Sequence, residues 1–429
     1  MAARIVINCW GSYGDLNPYL GLALQLRARG HHPVLATMPR YQADVEREGL
    51  EFRPVGPDTA IEDRELIRRV MDPVRGGEVL LREIVLPGVE ASFEALWRAT
   101  EGADLVVSHP VTFAAPLVAG TRGLPWISTV LAPLSFFSVH DFPVLPPAPG
   151  LARLHSLPGM GRLFRAAIRA TTRRWGDPVR RLRARLGLPP GGDPLYEGQF
   201  SPHGTLALFS PVLARPQPDW PPRTRVTGAI HYDRSTGGDG LGPPLEGFLA
   251  SGPPPVVFTL GSAAVMAPGR FFEESLAAVR RLGVRAVLLV GREGASRRLD
   301  APSDQVCVVE AAPFGLLFPR AAAIVHQGGA GTLAQALRAG RPQLVVPYAH
   351  DQPDNAHRLA RLGVARIVHP RRYRAGRVAA ELSTLLGDAR LADAARRVAR
   401  GVGNGDGAAA AGAAIEDVLA VLVPGPGGR

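Results

Sequence analysis

Short apolar runs alternate with helical segments along this chain, and the alternation occurs twice, on either side of a stretch rich in glycine and proline. RIVINCW, residues 4–10, reads as a strand, DLNPYLGLALQLRARG as a helix ended by Gly30, and HHPVLATM as the next strand. EFRPVG, ADLVVSH, PWISTVLAP, GTLALFSP and RVTGAI continue the strand pattern, with one long helical stretch expected over residues 61–99. Residues 233–255 carry almost no periodicity and read as a linker. Beyond them VVFTLGS, VRAVLLVGR, QVCVVEA, AAAIVHQ, PQLVVPYA and ARIVHP alternate with helices again. Such alternation covers both faces of a parallel sheet, so the expected fold is α/β, with two doubly wound Rossmann-like domains facing a central cleft. The expected divisions are a first domain over 1–232, the linker 233–255, a second domain over 256–405, and a C-terminal helix and tail, 406–429, packing back on the first domain.

The most informative turn is HQGGAGT, residues 326–332, between the apolar run AAAIV and the helical LAQALRAG. A strand that feeds a glycine-rich turn into a helix start presents unpaired N–H groups and the positive end of a helix dipole. Side chains this small let an anion approach. The turn reads as a phosphate seat, with His326 and Thr332 as additional donors.

Composition removes several alternatives. All 49 basic residues are arginine, which excludes a Walker-type phosphate loop, a pyridoxal Schiff base and any lysine nucleophile. The net charge of +11 accompanies abundant alanine, glycine and proline, and no aromatic-interleaved basic motif is present, so nucleic acid is not an expected partner. Cys9 and Cys307, one in each half, read as core thiols rather than a disulfide framework or a metal site. No metal and no cofactor are expected. With no apolar run of membrane-spanning length and a start that enters a strand directly, the expected compartment is the cytoplasm.

From His326 the sequence runs on as HQGGAGTLAQALRAGRPQLVVPYAHDQPDNAHRL, and it resembles the donor-site signature of the family 1 glycosyltransferases. The likeness is to the bacterial branch that includes glycopeptide, macrolide, sterol and rhamnolipid glycosyltransferases. GSYGDLNP, FTLGS and APFGLLFPRAAAIVHQGGAGT match in the same order, so it covers most of the chain. The resemblance implies the GT-B fold and transfer of a sugar from a UDP- or dTDP-sugar, with inversion and without a metal, to a hydroxyl of a small hydrophobic acceptor: a natural-product aglycone, a sterol or a lipid.

It also implies roles. His326, Gly328, Gly329, Gly331 and Thr332 would face the diphosphate, Ser262 would add a hydroxyl, and Asp351 with Gln352 would hold the donor sugar. Main-chain groups around Pro313 and Phe314 would read the base. The sequence departs from the family where Gln327 replaces a frequent second histidine, where Ala334 replaces the plant branch's ribose-binding glutamate, and where Ala311 and Ala312 stand in place of its stacking tryptophan. UDP and dTDP both stay open.

An inverting transfer needs a base to take the acceptor's proton. GSYGD matches the GxxGD form of the glycopeptide and sterol branch, which assigns that role to Asp15, at or near a helix N-cap; a plain capping aspartate is the alternative. His109, at the end of ADLVVSHP, is the second candidate. Trp10, Phe113, Phe136, Phe137 and His140 lie on loops expected to border the acceptor. A dinucleotide oxidoreductase is disfavoured because GSYGDL is not GxGxxG and LATMPR lacks an acidic ribose anchor. A nucleotide-sugar epimerase of the same fold and a non-catalytic helper are the remaining rivals.

Residues 151–187 hold ten arginines against one acid, Asp177. One reading is an amphipathic segment lying peripherally on an anionic membrane surface. The other, which is preferred, is a solvated helix in an arginine-biased chain.

Overall fold

The computed structural model describes residues 2–57, 63–146, 150, 157–233, 240–291, 304–403 and 405–422. Among these, two all-parallel sheets form the framework. The first has the order β3-β2-β1-β4-β5-β6-β7, built from Arg4–Asn8 (β1), His32–Thr37 (β2), Glu51–Pro54 (β3), Leu105–Ser108 (β4), Trp126–Val130 (β5), Thr205–Ala207 (β6) and Thr224–Val226 (β7). The second has the order β10-β9-β8-β11-β12-β13, from Val256–Thr259 (β8), Ala286–Leu289 (β9), Val306–Val309 (β10), Ala323–His326 (β11), Gln343–Val345 (β12) and Ala365–Ile367 (β13). β1, β4, β8 and β11 are buried or nearly so on both faces, which is why they read as unbroken apolar runs rather than alternating ones.

Strand order reverses between β1 and β4 in the first sheet and between β8 and β11 in the second. In open parallel sheets, ligands sit beyond the carboxyl ends of the strands at such reversals. GSYGD follows β1, His109 follows β4, Ser262 follows β8 and HQGGAGT follows β11. Topology alone therefore gathers the four motifs at two facing crevices.

The helices that matter here are Tyr13–Ala28 (α1), Arg64–Val70 (α2), Met160–Thr172 (α3), Asp177–Arg185 (α4), Ala330–Ala339 (α5), Gln352–Arg361 (α6) and Gly407–Leu422 (α7). α7 lies on α1: Ala411 and Ile415 are fully buried in the core of the first sheet, and Glu416 pairs with Arg29 and with His31 at 3.2 Å. The two sheets are joined by a shared apolar layer in which Val130, Phe209 and Trp220 meet Leu333, Leu337 and Leu359.

Two expectations need correction. Residues 243–250 are not linker but a helix, entered through Gly242 and Pro243, whose Leu245, Phe248 and Leu249 pack under the second sheet. Three apolar residues at i, i+3 and i+4 are too few to stand out among the surrounding glycines and prolines. The rest of the expected linker includes residues 234–239, outside the described residues. The long helix expected over 61–99 is divided into α2, a short turn at Gly76–Glu78, a π-helical segment Val79–Val85 and a helix Val89–Ala99. Pro73, the Gly76-Gly77 pair and the Pro87-Gly88 pair interrupt it.

Candidate active site

Ser12 is the N-cap of α1, and Asp15 stands near it, at the third helical position, so the alternative of a plain capping aspartate does not hold. The pair forms a capping box: Ser12 N–H donates to Asp15 Oδ2 at 2.8 Å, and the Ser12 hydroxyl lies 3.2 Å from the same oxygen. Gly11, at φ +136°, brings the chain so close to this carboxylate that a Cβ there would stand 2.3 Å from Oδ2. The other oxygen, Oδ1, is 3.4 Å from His109 Nε2. His109 is buried, and its Nδ1 accepts from the Val111 N–H at 3.4 Å, which leaves the Nε2 proton for Asp15. Burial works to raise the Asp15 carboxyl, but the hydrogen bond and electrostatic pull of the His109 ring together with the Ser12 donors outweigh it, and the net shift is downward. Asp15 is thus a half-buried carboxylate with its charge held in place.

Across the cleft, Gly329 caps α5 without any side-chain hydrogen bond, so the first N–H groups of the helix, through Thr332, have no intrahelical acceptor. Gly329, Gly331 and Thr332 border the cavity. His326 does not: it is fully buried, its Nδ1 accepts from the Gly328 N–H at 3.1 Å, and its Nε2 lies 2.9 Å from Gln343 Oε1. Burial pushes its pKa down to about 4, so it is a neutral strut that shapes the turn from behind. This corrects the expectation of a donor facing phosphate. The side chain the turn does present is Gln327, whose Oε1 is buried without a hydrogen-bond partner among the described residues and whose Nε2 lies 3.5 Å from Thr332 Oγ1. The sequence flagged Gln327 only as a departure, because a strand-end pair of polar residues does not reveal which one points out. Gly328, at φ +91°, does not border the cavity either, which corrects its expected place on the diphosphate: its N–H is taken by His326, and a Cβ there would stand 3.0 Å from Val345 and 3.2 Å from the Gln352 carbonyl.

Ser262 sits at the facing crevice, and its hydroxyl accepts from the Gly14 N–H at 3.2 Å, which ties the β8 loop to the start of α1. Gly261, at φ +63°, leaves room for Gln327: a Cβ there would stand 2.2 Å from its Nε2. Asp351 and Gln352 open α6 and border the same cavity. Gln352 Oε1 accepts from the N–H groups of Tyr348 and Ala349 at 2.8 and 3.2 Å, which fixes the amide. Asn355 donates to Asp351 Oδ2 at 2.7 Å and to the Gly328 carbonyl at 2.8 Å, joining this helix to the seat. Burial first and the charge of Asp15 second raise the Asp351 carboxyl to about 7. Pro313 and Phe314 are not among the residues bordering the cavity; Phe314 stacks on Phe318 with ring centres 4.4 Å apart. Residues 292–303, beyond β9, are outside the described residues.

Asp15, His109, Ser262, Gln327, Thr332, Asp351 and Gln352 border one cavity of about 660 Å³. Trp10, Phe113 and Phe137 border it, Trp10 held by its indole N–H donating to the Pro57 carbonyl at 3.0 Å. Phe136 and His140 do not. Phe136 is buried against Trp220 at 4.1 Å, and His140 faces solvent, because the left-handed turn at Phe137 sends the two neighbouring aromatics in opposite directions. Much of the remaining wall was unforeseen. Leu80, Leu81 and Ile84 come from the π-helical segment, and Ile168, Thr172 and Trp175 from the arginine-rich stretch. In the described part of that stretch, several arginines meet acids from elsewhere: Arg165 with Asp219, Arg169 with Glu197, Arg180 with Asp193, and Arg185 with Glu90. Residues 151–156 lie outside the described residues.

Among the described residues no three His, Cys, Asp or Glu side chains are grouped to hold a metal ion, and no helix is long and apolar enough to cross a membrane.

The chain is similar to several known proteins. A family model described as "Erythromycin biosynthesis protein CIII-like, C-terminal domain" matches residues 274–405. The O-mycaminosyltylonolide 6-deoxyallosyltransferase of Streptomyces fradiae is 38% identical over 417 residues, 93% of either chain. The structure of the calicheamicin glycosyltransferase CalG4 superposes with a TM-score of 0.74 at 20% identity, over 99% of this chain and 100% of that one. A spinosyn rhamnosyltransferase complexed with thymidine diphosphate gives 0.69 at 20% identity, over 97% of this chain and 100% of the other.

Proposed function

The chain belongs to the family 1 glycosyltransferases, enzymes of the GT-B fold, and we propose that it transfers a sugar from a dTDP- or UDP-sugar to a hydroxyl of a hydrophobic macrolide-type aglycone, inverting the anomeric carbon and needing no metal. The observation that carries the proposal is the arrangement across the 660 Å³ cavity: the Asp15–His109 pair and an apolar wall on one side, and the N-terminus of α5 with Asp351 and Gln352 on the other.

In this reading the sugar lies between the two sides, its hydroxyls on Asp351 and Gln352 and its diphosphate on the N–H groups of α5, with Gln327, Thr332 and Ser262 around it. The acceptor oxygen attacks the anomeric carbon from the side of Asp15 as the bond to the diphosphate oxygen breaks. Asp15 takes the acceptor's proton, and the electron pair of the broken bond leaves with the nucleoside diphosphate. His109 holds Asp15 charged and aimed. The helix N-terminus meets the negative charge that develops on the leaving group, with its donors already in place. Attack from one face and departure from the other give inversion.

Three points support the finer choices. Thymidine diphosphate in the spinosyn relative makes a dTDP-sugar the first donor to try, with UDP-sugars second. The macrolide substrate in the name of the Streptomyces fradiae relative, and the apolar wall, favour a macrolide acceptor. Ile168 and Trp175 turn into the cavity rather than outward, which supports a soluble aglycone over one collected at a bilayer. The size and apolar lining of the cavity also favour transfer over epimerisation, since an epimerase needs no room for a second, hydrophobic substrate.

A screen of dTDP- and UDP-sugars against macrolide lactones, O-mycaminosyltylonolide among them, with mass detection and with and without EDTA, tests the proposal. It is supported by a glycosylated lactone formed equally in both conditions. Strict dependence on a divalent ion, or epimerised donor with no transfer, contradicts it.

A further inference from the structure

Arg358 lies on the same helix as the proposed donor-sugar pair, two turns on, and is only 3% exposed. Its Nε donates to Asp354 Oδ2 at 2.8 Å, and its Nη1 donates to Asp141 and, at 3.3 Å, to the Leu213 carbonyl. Asp354 Oδ1 accepts from the Val144 N–H at 3.0 Å, and Arg361 reaches the outer oxygen of Asp141 at 3.2 Å. Asp141 and Val144 belong to the segment that follows Phe137 and leads into Leu145 and Pro146, both of which border the acceptor side of the cavity. The start of that segment is held on the first sheet's side by Asp219, which accepts from the Ser138 hydroxyl at 2.6 Å and the Val139 N–H at 2.8 Å.

Asp351, Asp354, Asn355 and Arg358 are spaced i, i+3, i+4 and i+7, so one face of α6 carries both the groups beside the donor sugar and the groups that grip the acceptor wall. A second tie runs from the residue just before this pair. His350, in the left-handed region at φ +58°, hydrogen-bonds the Val70 carbonyl at the end of α2, and the next residue, Met71, is buried in the core of the second sheet. Ile67 and Val70 of α2 border the same cavity, so two of its walls are anchored to the element that would meet the donor sugar.

We infer that Arg358 is a positioning residue: through Asp141 and Asp354 it makes the acceptor-wall segment 138–146 an extension of α6, so that a donor sugar seated on Asp351 and Gln352 orders the acceptor site. The inference rests on the proposed donor role of that pair. A buried arginine shared by two carboxylates admits few arrangements, and the two sites then share one free energy of coupling, felt equally from either side.

Hydrogen exchange of the peptide covering 138–146, with and without saturating dTDP-glucose, tests it in the wild type and in Asp141→Asn. Heat of binding is recorded on the same samples. Exchange in the wild type is expected to slow about tenfold, an ordinary size for such coupling, while in Asp141→Asn it slows less than about twofold at similar donor affinity. Equal slowing in both proteins, or bound dTDP-glucose with no slowing in the wild type, overturns the inference. Absence of any binding heat removes the donor reading and the coupling with it, and is told apart by that missing heat. The wild-type comparison stands by itself if the variant does not fold.

Discussion

His109 Nε2 stands 3.4 Å from Asp15 Oδ1, and this contact decides which of two opposing effects sets the acidity of the carboxyl. Burial alone would raise it; the histidine brings it down. Replacing His109 by leucine keeps the site dry and removes the donor. The acid limb of the pH profile of kcat/KM, where activity falls as Asp15 takes up a proton, is then expected to move to higher pH. A limb that does not move would detach His109 from the base.

Gly331 is expected to separate binding from folding. Among the described residues a Cβ there would meet the Gly14 main chain, its carbonyl oxygen at 3.7 Å and its Cα at 3.9 Å, both ordinary contacts, and alanine favours a helix by about 0.5–1 kcal/mol. Gly331→Ala should therefore melt no lower than the wild type, yet its methyl crowds the anion seat. Calorimetry should read a Kd for dTDP about tenfold weaker, ~1.4 kcal/mol. Unchanged affinity would move the diphosphate away from the α5 N-terminus.

His326→Ala should act first on stability. It leaves Gln343 Oε1 and the Gly328 N–H unpaired in a buried place, at a cost of about 1–3 kcal/mol for each such group. A lower Tm is the expected result. An unchanged Tm with a large loss of dTDP affinity would restore His326 to direct contact with phosphate.

The parallel-sheet architecture and the phosphate seat were legible because both rest on local signals: unbroken apolar runs flanked by glycine turns, and HQGGAGT at a strand-to-helix junction. Asp15 and His109 were legible singly, but their pairing was not. They lie 94 positions apart, and only the reversal of strand order between β1 and β4 brings them together. Side-chain direction was the other hidden quantity. The pairs His326–Gln327 and Phe136–Phe137 each have one member inside the protein and one toward the cavity, and adjacent residues of like type give no periodicity from which to choose. The acceptor wall was least visible. Leu80, Leu81 and Ile84 lie in a π-helical segment set between helix breaks, so nothing local marks which wall they form, and the arginines around Ile168 and Trp175 find their acids at distant positions such as Glu90 and Asp219.

Asp351 is expected to give the site a pH dependence near neutrality. Its carboxyl is raised from 3.8 to about 7, so the folded protein holds a proton there that the unfolded chain has already released. Stability from this group therefore falls as pH rises through that window. Asp351→Asn should melt above the wild type at pH 8, with a gain that shrinks toward pH 5. Affinity for dTDP-glucose, whose hydroxyls need the ionised carboxylate as acceptor, should rise between pH 6 and 8 in the wild type and stay flat in the variant. A pH-independent wild type would take Asp351 off the sugar.

The central claim is that Asp15 takes the acceptor's proton, and turnover of Asp15→Asn, measured beside its affinity for dTDP, tests it most directly. The amide keeps the shape of the side chain but cannot accept that proton at neutral pH. A loss of turnover of about 10²–10⁴ with unchanged dTDP affinity is the expected result. Turnover near that of the wild type would reduce Asp15 to its part in the capping box with Ser12 and contradict the account.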